Sequence, residues 1–114
     1  MRAALLVAVV ADELEEEAVR IAREAGARGV TILAGRGIGF PEHVTFFGIT
    51  YRGLEKILLW VLDEPSAEFI AERINLELDL LKPFKGLAFV LPVSHVDGLD
   101  PRAVARILEA ERRT

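Results

Sequence analysis

The chain has 114 residues, which is enough for one domain with a modest core. Its formal charge is −4 and its cations form no run, which argues against nucleic acid as the main partner, because phosphate binding needs a basic face. Cysteine is absent, which excludes disulfides and thiolate metal sites. Arginine outnumbers lysine, and Gln is absent, a composition typical of a heat-adapted (thermophile) source.

The apolar content is high for so short a chain, with 52% hydrophobic residues. The apolar run Ala3–Ala11 leads into the acidic Asp12–Glu17 without a small-residue cleavage site, and it is too short to span a bilayer. We therefore expect a cytoplasmic protein with no membrane span. A small domain has much surface to cover, so the apolar excess predicts burial against another chain.

The first third of the chain predicts a strand, a helix and a second strand. The first strand is Ala3–Val10, an apolar run typical of burial on both faces. Asp12 begins the helix and forms a capping box with Glu15, and Gly26 ends it. The second strand is Gly29–Ala34. The buried stripe of the helix is predicted at Leu14, Ala18, Ile21, Ala22 and Ala25.

A glycine-rich loop is predicted next, because Gly35, Gly37 and Gly39 occupy alternate positions without a helical pattern after them. Such glycines let backbone approach an anion or let the chain turn. The stretch Phe40–Gly53 is less regular, and we expect a short extended arm over His43–Thr50.

The second half repeats the order of the first. It predicts a third strand over Lys56–Leu62, a second helix from Pro65 to about Leu80, and a fourth strand over Gly86–Val93. Asp100-Pro101 has the signature of a helix start, so a helical tail is expected over residues 100–113. The inward residues of the second helix are predicted to be Ala67, Phe69, Ile70 and Ile74.

Two successive βαβ halves of this size predict an α+β, ferredoxin-like split-βαβ sandwich formed by one domain over residues 1–114. Both helices then cover one face of the sheet and leave the other open. The strands hardly contain a polar residue outside Lys56, and the helical tail is too small to cover the open face. We therefore expect a homo-oligomer with its sheets turned inward.

At this point the sequence resembles a known family. Gly26–Gly39 (GARGVTILAGRGIG) resembles the Gly-x-x-Gly-x-Thr…Lys-Gly-Phe-Gly stretch of the PII nitrogen-regulatory signal proteins, and Gly86–Val93 is similar to their fourth strand. PII proteins are ferredoxin-like trimers. They bind adenine nucleotides between subunits and signal carbon, nitrogen and energy status through a long loop. The resemblance therefore implies a homotrimer, an ATP, ADP or AMP effector without a covalent cofactor, and signalling through the loop 40–53.

The resemblance also implies the ligand-binding residues. Gly29 and Thr31 match positions near the adenine, and Gly37 and Gly39 match the phosphate-side pair. Arg36 stands where the family has lysine, and glycine N–H groups there can hold an anion as a nest. In the fourth-strand loop, Lys85 or Lys82 can replace the family's phosphate lysine beside Gly86.

The chain departs from the family in several places. Phe40-Pro41 replaces the Arg-Gln that helps the family bind metal and 2-oxoglutarate. Only one glycine survives in Phe84–Leu87, the C-terminal arginines are replaced by Ser94–Asp97, and the signalling loop is several residues shorter. These features indicate a divergent, short-looped PII-like protein.

Other readings of the same residues stay open. In one alternative, Gly35, Gly37 and Gly39 form a tight turn that binds no ligand, and Lys82 and Lys85 are solvated surface residues. His43 and His95 have no ligand-spaced partner, so surface roles are favoured and no metal site is expected. Phe46-Phe47 pack on a neighbouring subunit or dock a target protein.

No nucleophile with a placed base, close acidic pair or metal triad is evident, so catalysis is not expected. Two alternatives to a nucleotide sensor remain. One is a ligand-free structural or assembly trimer acting by protein–protein contacts. The other is a metal-tolerance trimer like the copper-tolerance family. We rank it last, because a chain with no cysteine and a single methionine offers few ligands for a soft metal.

Overall fold

A computed structural model describes residues 2–39, 51–82, 85–98 and 102. Four strands form one antiparallel sheet in the order β2-β3-β1-β4. Within the described ranges, no helix is long and apolar enough to cross a membrane. The regular elements are β1 (Ala3–Ala11), α1 (Glu15–Glu24), β2 (Thr31–Gly39), β3 (Tyr51–Asp63), α2 (Glu64–Leu78) and β4 (Gly86–Val93).

The strand order confirms the ferredoxin-like sandwich. Strand β3 lies between β1 and β2, and β1 lies between β3 and β4, so each βαβ half is split by a strand of the other half. Right-handed crossovers place both helices on one face of the sheet, where α1 and α2 pack side by side. The result is two layers, one of helices and one of strands.

The hydrophobic core lies between these layers. Successive side chains of a strand point to opposite faces, and in β1 the even-numbered residues face the helices. Leu6 and Val10 are fully buried there, beside Leu58 and Trp60 of β3. The helices contribute the small and branched side chains of Ala18, Ile21, Ala22, Ala67, Ile70, Ile74 and Leu78.

The opposite face of the sheet is apolar, and no other described helix or strand packs on it; we call it the open face. The register places Leu5, Val7 and Val9 of β1 between two other apolar rows on this face. Leu87 is 50% exposed and Phe89 41% exposed although both are large apolar side chains. The other members of the open face are Leu33, Ile57, Leu59, Val61 and Leu91.

Strands β2 and β3 are longer than predicted, because they continue through the glycine-rich segment. Gly35 pairs with Glu55, Gly37 with Gly53 and Gly39 with Tyr51. The prediction of a loop from Gly35 onward was therefore wrong. Each glycine pairs with a β3 residue that is distant in sequence, and this pairing overrides the tendency of glycine to form turns.

The start of the first helix also differs from the prediction. Asp12–Leu14 form a single 3₁₀ turn, α1 begins at Glu15, and neither segment has a side-chain cap. The predicted capping box between Asp12 and Glu15 was therefore wrong. Both carboxylates bind Lys56 on β3 instead, and they hold the helix start against the sheet.

Helix α2 has the N-cap that α1 lacks. The Asp63 carboxylate accepts a hydrogen bond from the backbone N–H of Ser66 at 3.2 Å, and Pro65 occupies the first turn. Ile70 and Ile74 are buried as predicted. The inward assignment of Phe69 was wrong, because its side chain is 46% exposed on the outer side of the helix.

Some predictions fall outside the described residues. They are the extended arm over His43–Thr50, the aromatic pair Phe46-Phe47 and the helical tail apart from Arg102. The predicted strand Gly86–Val93 and the first strand are confirmed, the latter with Ala11 as an additional residue.

Candidate functional site

The structure places the predicted ligand-binding residues at three positions in the sheet. Gly29 and Thr31 lie where the chain enters β2, and Arg36, Gly37 and Gly39 lie at its far end. At roughly 3.3 Å per residue, the six-residue step from Thr31 to Gly37 spans roughly 20 Å. The third position, Lys85 and Gly86, is at the start of β4.

The second and third positions lie at the same end of the sheet but on opposite edges. Val10 and Ala11 of β1 neighbour Gly86 and Lys85, while the same end of β2 contains Gly37. Two strands separate β2 from β4, and strands are spaced about 4.8 Å apart, so the edges are roughly 14 Å apart. One chain alone therefore does not bring Gly37 and Lys85 together.

The three alternate glycines of β2 lie on one face of the sheet. Gly35, Gly37 and Gly39 have the same parity as Leu33, so they lie on the open face, in line with Thr31. We call these three residues the glycine strip. The strip presents backbone without side chains to whatever lies on the open face. This gives the glycines a role that the expected loop did not supply: they allow close approach to the flat backbone of an edge strand.

Arg36 lies on the other face from the glycine strip. It alternates with Gly35 and Gly37, so it shares the helix side of the sheet with Ala34, and its side chain is exposed. The sequence prediction placed Arg36 in one site with Gly37 and Gly39, but the structure places Arg36 on the opposite face of the strand from these glycines. A guanidinium on a long side chain at the edge can still reach around that edge.

Gly86 has a structural reason to be glycine. Its φ is +139°, and a Cβ added there would lie 2.2 Å from the carbonyl oxygen of Val9 and 2.8 Å from Cα of Val10. Every larger residue would force β4 away from β1 at the first pair of the ladder. The adjacent Lys85 is half-buried, and its carbonyl accepts a hydrogen bond from the Ala11 N–H at 3.0 Å.

Gly29 and Gly35 differ from Gly86 in this respect. A Cβ on Gly29 would meet nothing within 4 Å, and one on Gly35 would be at 3.6 Å from Cδ1 of Ile57, an ordinary contact. The fold of one chain therefore does not require glycine at either position.

A charged cluster that the sequence prediction missed lies on the helix side of the same sheet end. The Lys56 ammonium is 2.7 Å from Oε1 of Glu15 and 3.1 Å from Oδ1 of Asp12. The hydrogen bonds to Glu15 and then Asp12 raise the pKa of Lys56 above its usual value. The signal in the sequence was Lys56 itself, the polar exception in an apolar strand.

An open cleft of about 710 Å³ lies at the opposite end of the sheet. It is lined by Arg2, Glu64 and the segment 92–96, which includes His95. Arg2 lies 3.6 Å from the Glu64 carboxylate, and His95 lies 3.0 Å from Asp97. Of the predicted ligand-binding residues, none lines this cleft. The Arg2 guanidinium and the half-buried Glu64 carboxylate in this cleft pair with each other, so we do not take it as the candidate ligand site.

Comparison with known proteins was made by sequence and by structure. No protein-family model and no curated protein matches the chain. Among solved structures, the chain is similar to a PII-like signalling protein from Thermus thermophilus, with 25% identity and a TM-score of 0.62 over 82% of this chain and 87% of that one. It is also similar to PII from Arabidopsis thaliana bound to citrate, with 21% identity and a TM-score of 0.65 over 90% of this chain and 86% of that one.

Two further structures share the fold at lower identity. The GlnK–ATP complex of B. subtilis gives 15% identity and a TM-score of 0.65 over 82% of this chain and 83% of that one. The periplasmic divalent cation tolerance protein CutA from Archaeoglobus fulgidus gives 9% identity and a TM-score of 0.68 over 93% of this chain and 98% of that one. The chain thus has the fold of the PII-like signalling proteins, which confirms the predicted family resemblance at the level of the fold. The fold is shared with CutA, so the fold alone does not assign the function.

Proposed function

We propose that this chain is a PII-like regulatory protein that binds an anionic metabolite, in the first instance an adenine nucleotide, between its subunits. The observation that carries the proposal is the glycine strip on the open face of edge strand β2. An edge strand without side chains over three alternate positions invites close approach by a ligand or a neighbouring subunit. The PII-like fold supplies the context in which such a strip adjoins a nucleotide.

The division of the predicted residues between two edges supports a site between subunits. Gly37 and Lys85 lie on opposite edges of the sheet, which are roughly 14 Å apart in one chain, given three strand spacings of about 4.8 Å. A neighbouring chain that sets its β4 edge beside this β2 edge would bring the two together. The open face supports the same assembly, because Leu87, Phe89 and Leu91 on it are large apolar side chains that are exposed. We infer a homo-oligomer, and the family resemblance supplies the number three.

The chemistry of the ligand follows from the groups available. The whole chain has a charge of −4, so an anion must be bound by local groups. An edge strand presents a row of unpaired backbone N–H groups, and those of β2 near Gly37 and Gly39, with Arg36 and Lys85, supply such groups at this end of the sheet. Two of the similar structures hold anions, ATP in one and citrate in the other. Binding of the metabolite would then be reported to a target protein through Phe46-Phe47, without catalysis.

One observation favours the alternative of a ligand-free assembly protein. Gly86 is required by the contact of β4 with β1, so its presence needs no ligand. Divalent-cation tolerance of the CutA kind has less support: within the described part of the chain, no three His, Cys, Asp or Glu side chains are grouped to hold a metal. We therefore rank the assembly protein second.

The proposal is tested by calorimetric titration of the purified chain with ATP, ADP and AMP, with and without magnesium, and with citrate. We expect saturable binding of at least one nucleotide that Lys85→Ala and Gly37→Ala each weaken roughly tenfold, about 1.4 kcal/mol. The matched control is Arg20→Ala, which removes an exposed cation of helix α1 that pairs with Glu17 and Glu24.

Each result decides between the candidate functions. Weakening by Lys85→Ala but not by Arg20→Ala supports the nucleotide sensor at the β2–β4 site. Equal weakening by both indicates general electrostatic attraction and contradicts that site. Heats no larger than the buffer blank for every compound contradict the sensor and favour the assembly protein.

A further inference from the structure

Helix α2 carries an apolar stripe on the side opposite to the residues that it buries in the core. Phe69 is 46% exposed and Leu76 is 71% exposed. The two lie about two helical turns apart, so they are on the same side of the helix, and Pro65 lies on that side one turn before Phe69. We call Pro65, Phe69 and Leu76 the outer stripe.

A row of carboxylates borders the outer stripe along one side. Glu68 and Glu72 are exposed and lie one turn apart, and neither forms an ion pair with another described residue. Like charges at this spacing repel each other, and a cation placed beside them would relieve that repulsion. On the other side of the stripe, Arg73 already pairs with Glu77. The surface is therefore apolar along its centre and has unpaired negative charge along one edge only.

The inferred oligomer does not cover this surface. An oligomer that turns its sheets inward buries the open face and leaves the helix layer outside, with Phe69 and Leu76 exposed on it. A two-fold contact between the outer stripes of two copies with antiparallel helices is unfavourable as well. The symmetry would set the Glu68 and Glu72 rows of both copies on the same side of the contact, where they repel. The outer stripe therefore suits a different protein better than a second copy of this chain.

The form of the surface defines the kind of partner. The backbone groups of a helix bond within the helix, so α2 offers no edge to which a strand could be added. From Pro65 to Leu76 the stripe extends over roughly 16 Å at about 1.5 Å per residue, which matches a second helix of about three turns packed alongside. The carboxylates would repel nucleic acid and anionic lipid. A helix with an apolar face and cations along one edge complements both features of the surface.

From this complementarity we propose that the outer stripe is a docking site for an amphipathic helix of a target protein, one whose apolar face is bordered by lysine or arginine. The apolar side chains of that helix pack on Phe69 and Leu76, and its cations pair with Glu68 and Glu72. The contact is small and therefore weak, as in transient signalling encounters. It uses neither the open face nor the glycine strip, so it is independent of nucleotide binding by this chain.

Binding of a fluorescent synthetic peptide to the full chain, followed by anisotropy, tests the proposal. The peptide has about 18 residues, with leucine at helical spacing and lysine along one edge of the leucine face. In a second peptide, glutamate replaces every lysine. We expect the lysine peptide to bind saturably and the glutamate peptide to bind roughly tenfold more weakly or not at all. Leu76→Ser and the double variant Glu68→Gln/Glu72→Gln should each weaken binding of the lysine peptide roughly tenfold.

Each variant has a matched control elsewhere on the surface. Leu54→Ser changes a leucine that is 62% exposed near the start of β3. Glu13→Gln/Glu16→Gln removes two exposed carboxylates beside the start of α1. Both controls should leave the affinity for the lysine peptide within about twofold of the natural chain, a change of about 0.4 kcal/mol.

The outcomes separate the alternatives. Equal weakening by the two glutamate double variants would show general attraction of a cationic peptide to an acidic protein, and equal weakening by the two leucine variants would show unspecific apolar contact. A lower sedimenting mass of Leu76→Ser than of the natural chain would show that a second copy occupies the stripe. Each of these results overturns the proposal, and so does a lysine peptide that does not bind saturably.

Discussion

The glycines of this fold are of two kinds: some are required by the structure, and others have space for a side chain. Gly86 combines a φ of +139° with a prospective Cβ contact of 2.2 Å to a carbonyl oxygen. Gly86→Ala should therefore lower the free energy of unfolding by about 3 kcal/mol through strain and overpacking. Gly29→Ala should change it by no more than about 0.5 kcal/mol, because that site is open. Urea denaturation of both variants checks the contrast, and equal losses would contradict it.

The Lys56 cluster makes stability depend on alkaline pH. Glu15 and Asp12 raise the pKa of Lys56 from 10.5 in the folded chain, so folding favours the charged lysine. This stabilisation is fully present below the unfolded pKa of about 10.5 and is lost as pH rises through the higher folded pKa. Lys56→Met should therefore be less stable than the natural chain at neutral pH, and the gap should close above that pKa.

Urea midpoints measured for both chains from neutral to strongly alkaline pH check this prediction. The control is Lys82→Met, whose lysine pairs with Asp79 only three residues away on the surface. Its midpoint should stay near that of the natural chain throughout. A constant gap for Lys56→Met across the whole range would show that the side chain contributes through packing and not through its charge.

At the scale of elements, the N-cap of α2 is the clearest local determinant. The Asp63 carboxylate accepts the hydrogen bond of the Ser66 N–H, which would otherwise lack an intrahelical partner. Asp63→Ala should cost about 1 kcal/mol of stability, whereas Asp63→Ser, which keeps a capping oxygen, should cost less than half of that. Chemical denaturation of the two variants measures the difference. Equal losses would show that Asp63 acts through another interaction.

The elements also show which features local sequence determines. Strand β4 and the buried positions Ala18, Ile21 and Ala22 of α1 were predicted correctly, because continuous apolar runs and helical spacing are local signals. The extension of β2 through Gly35–Gly39 was not, because the pairing partners lie in Tyr51–Glu55 and glycine predicts a turn. The charge partner of Glu15 is equally remote, since Lys56 is 41 residues away.

The candidate site was less predictable than the fold for a related reason. Sequence resemblance places Arg36, Gly37 and Lys85 in one site, but strand alternation puts Arg36 on the other face from Gly37, and the sheet order puts Lys85 on the other edge. Neither relation is visible in the order of residues along the chain. The proposed site between subunits would resolve the separation of the edges, and no single segment of the sequence encodes such an assembly.

On the scale of the whole molecule, the open face predicts how the oligomer can be broken. Phe89→Lys places a charge among the apolar rows of Leu5–Val9 and Leu87–Leu91, where burial against another chain would leave it unpaired. We expect the natural chain to sediment as an oligomer at micromolar concentration and Phe89→Lys as a monomer. Leu81→Lys, at a leucine that is 82% exposed beyond α2, should remain oligomeric. A monomeric natural chain would contradict the inferred assembly.

Assembly and ligand binding should then be thermodynamically linked. The glycine strip and Lys85 stay intact in Phe89→Lys, yet their edges meet only between chains, so this variant should lose nucleotide binding without any change at the site itself. Conversely, a nucleotide that binds only the assembled form at about 100 times its Kd should stabilise each site by about 2.7 kcal/mol. In dilution experiments, the oligomer should dissociate at a lower protein concentration when the nucleotide is present than when it is absent. If the Phe89→Lys monomer binds nucleotide as tightly as the oligomer, the site lies within one chain, and the β2 and β4 edges act separately.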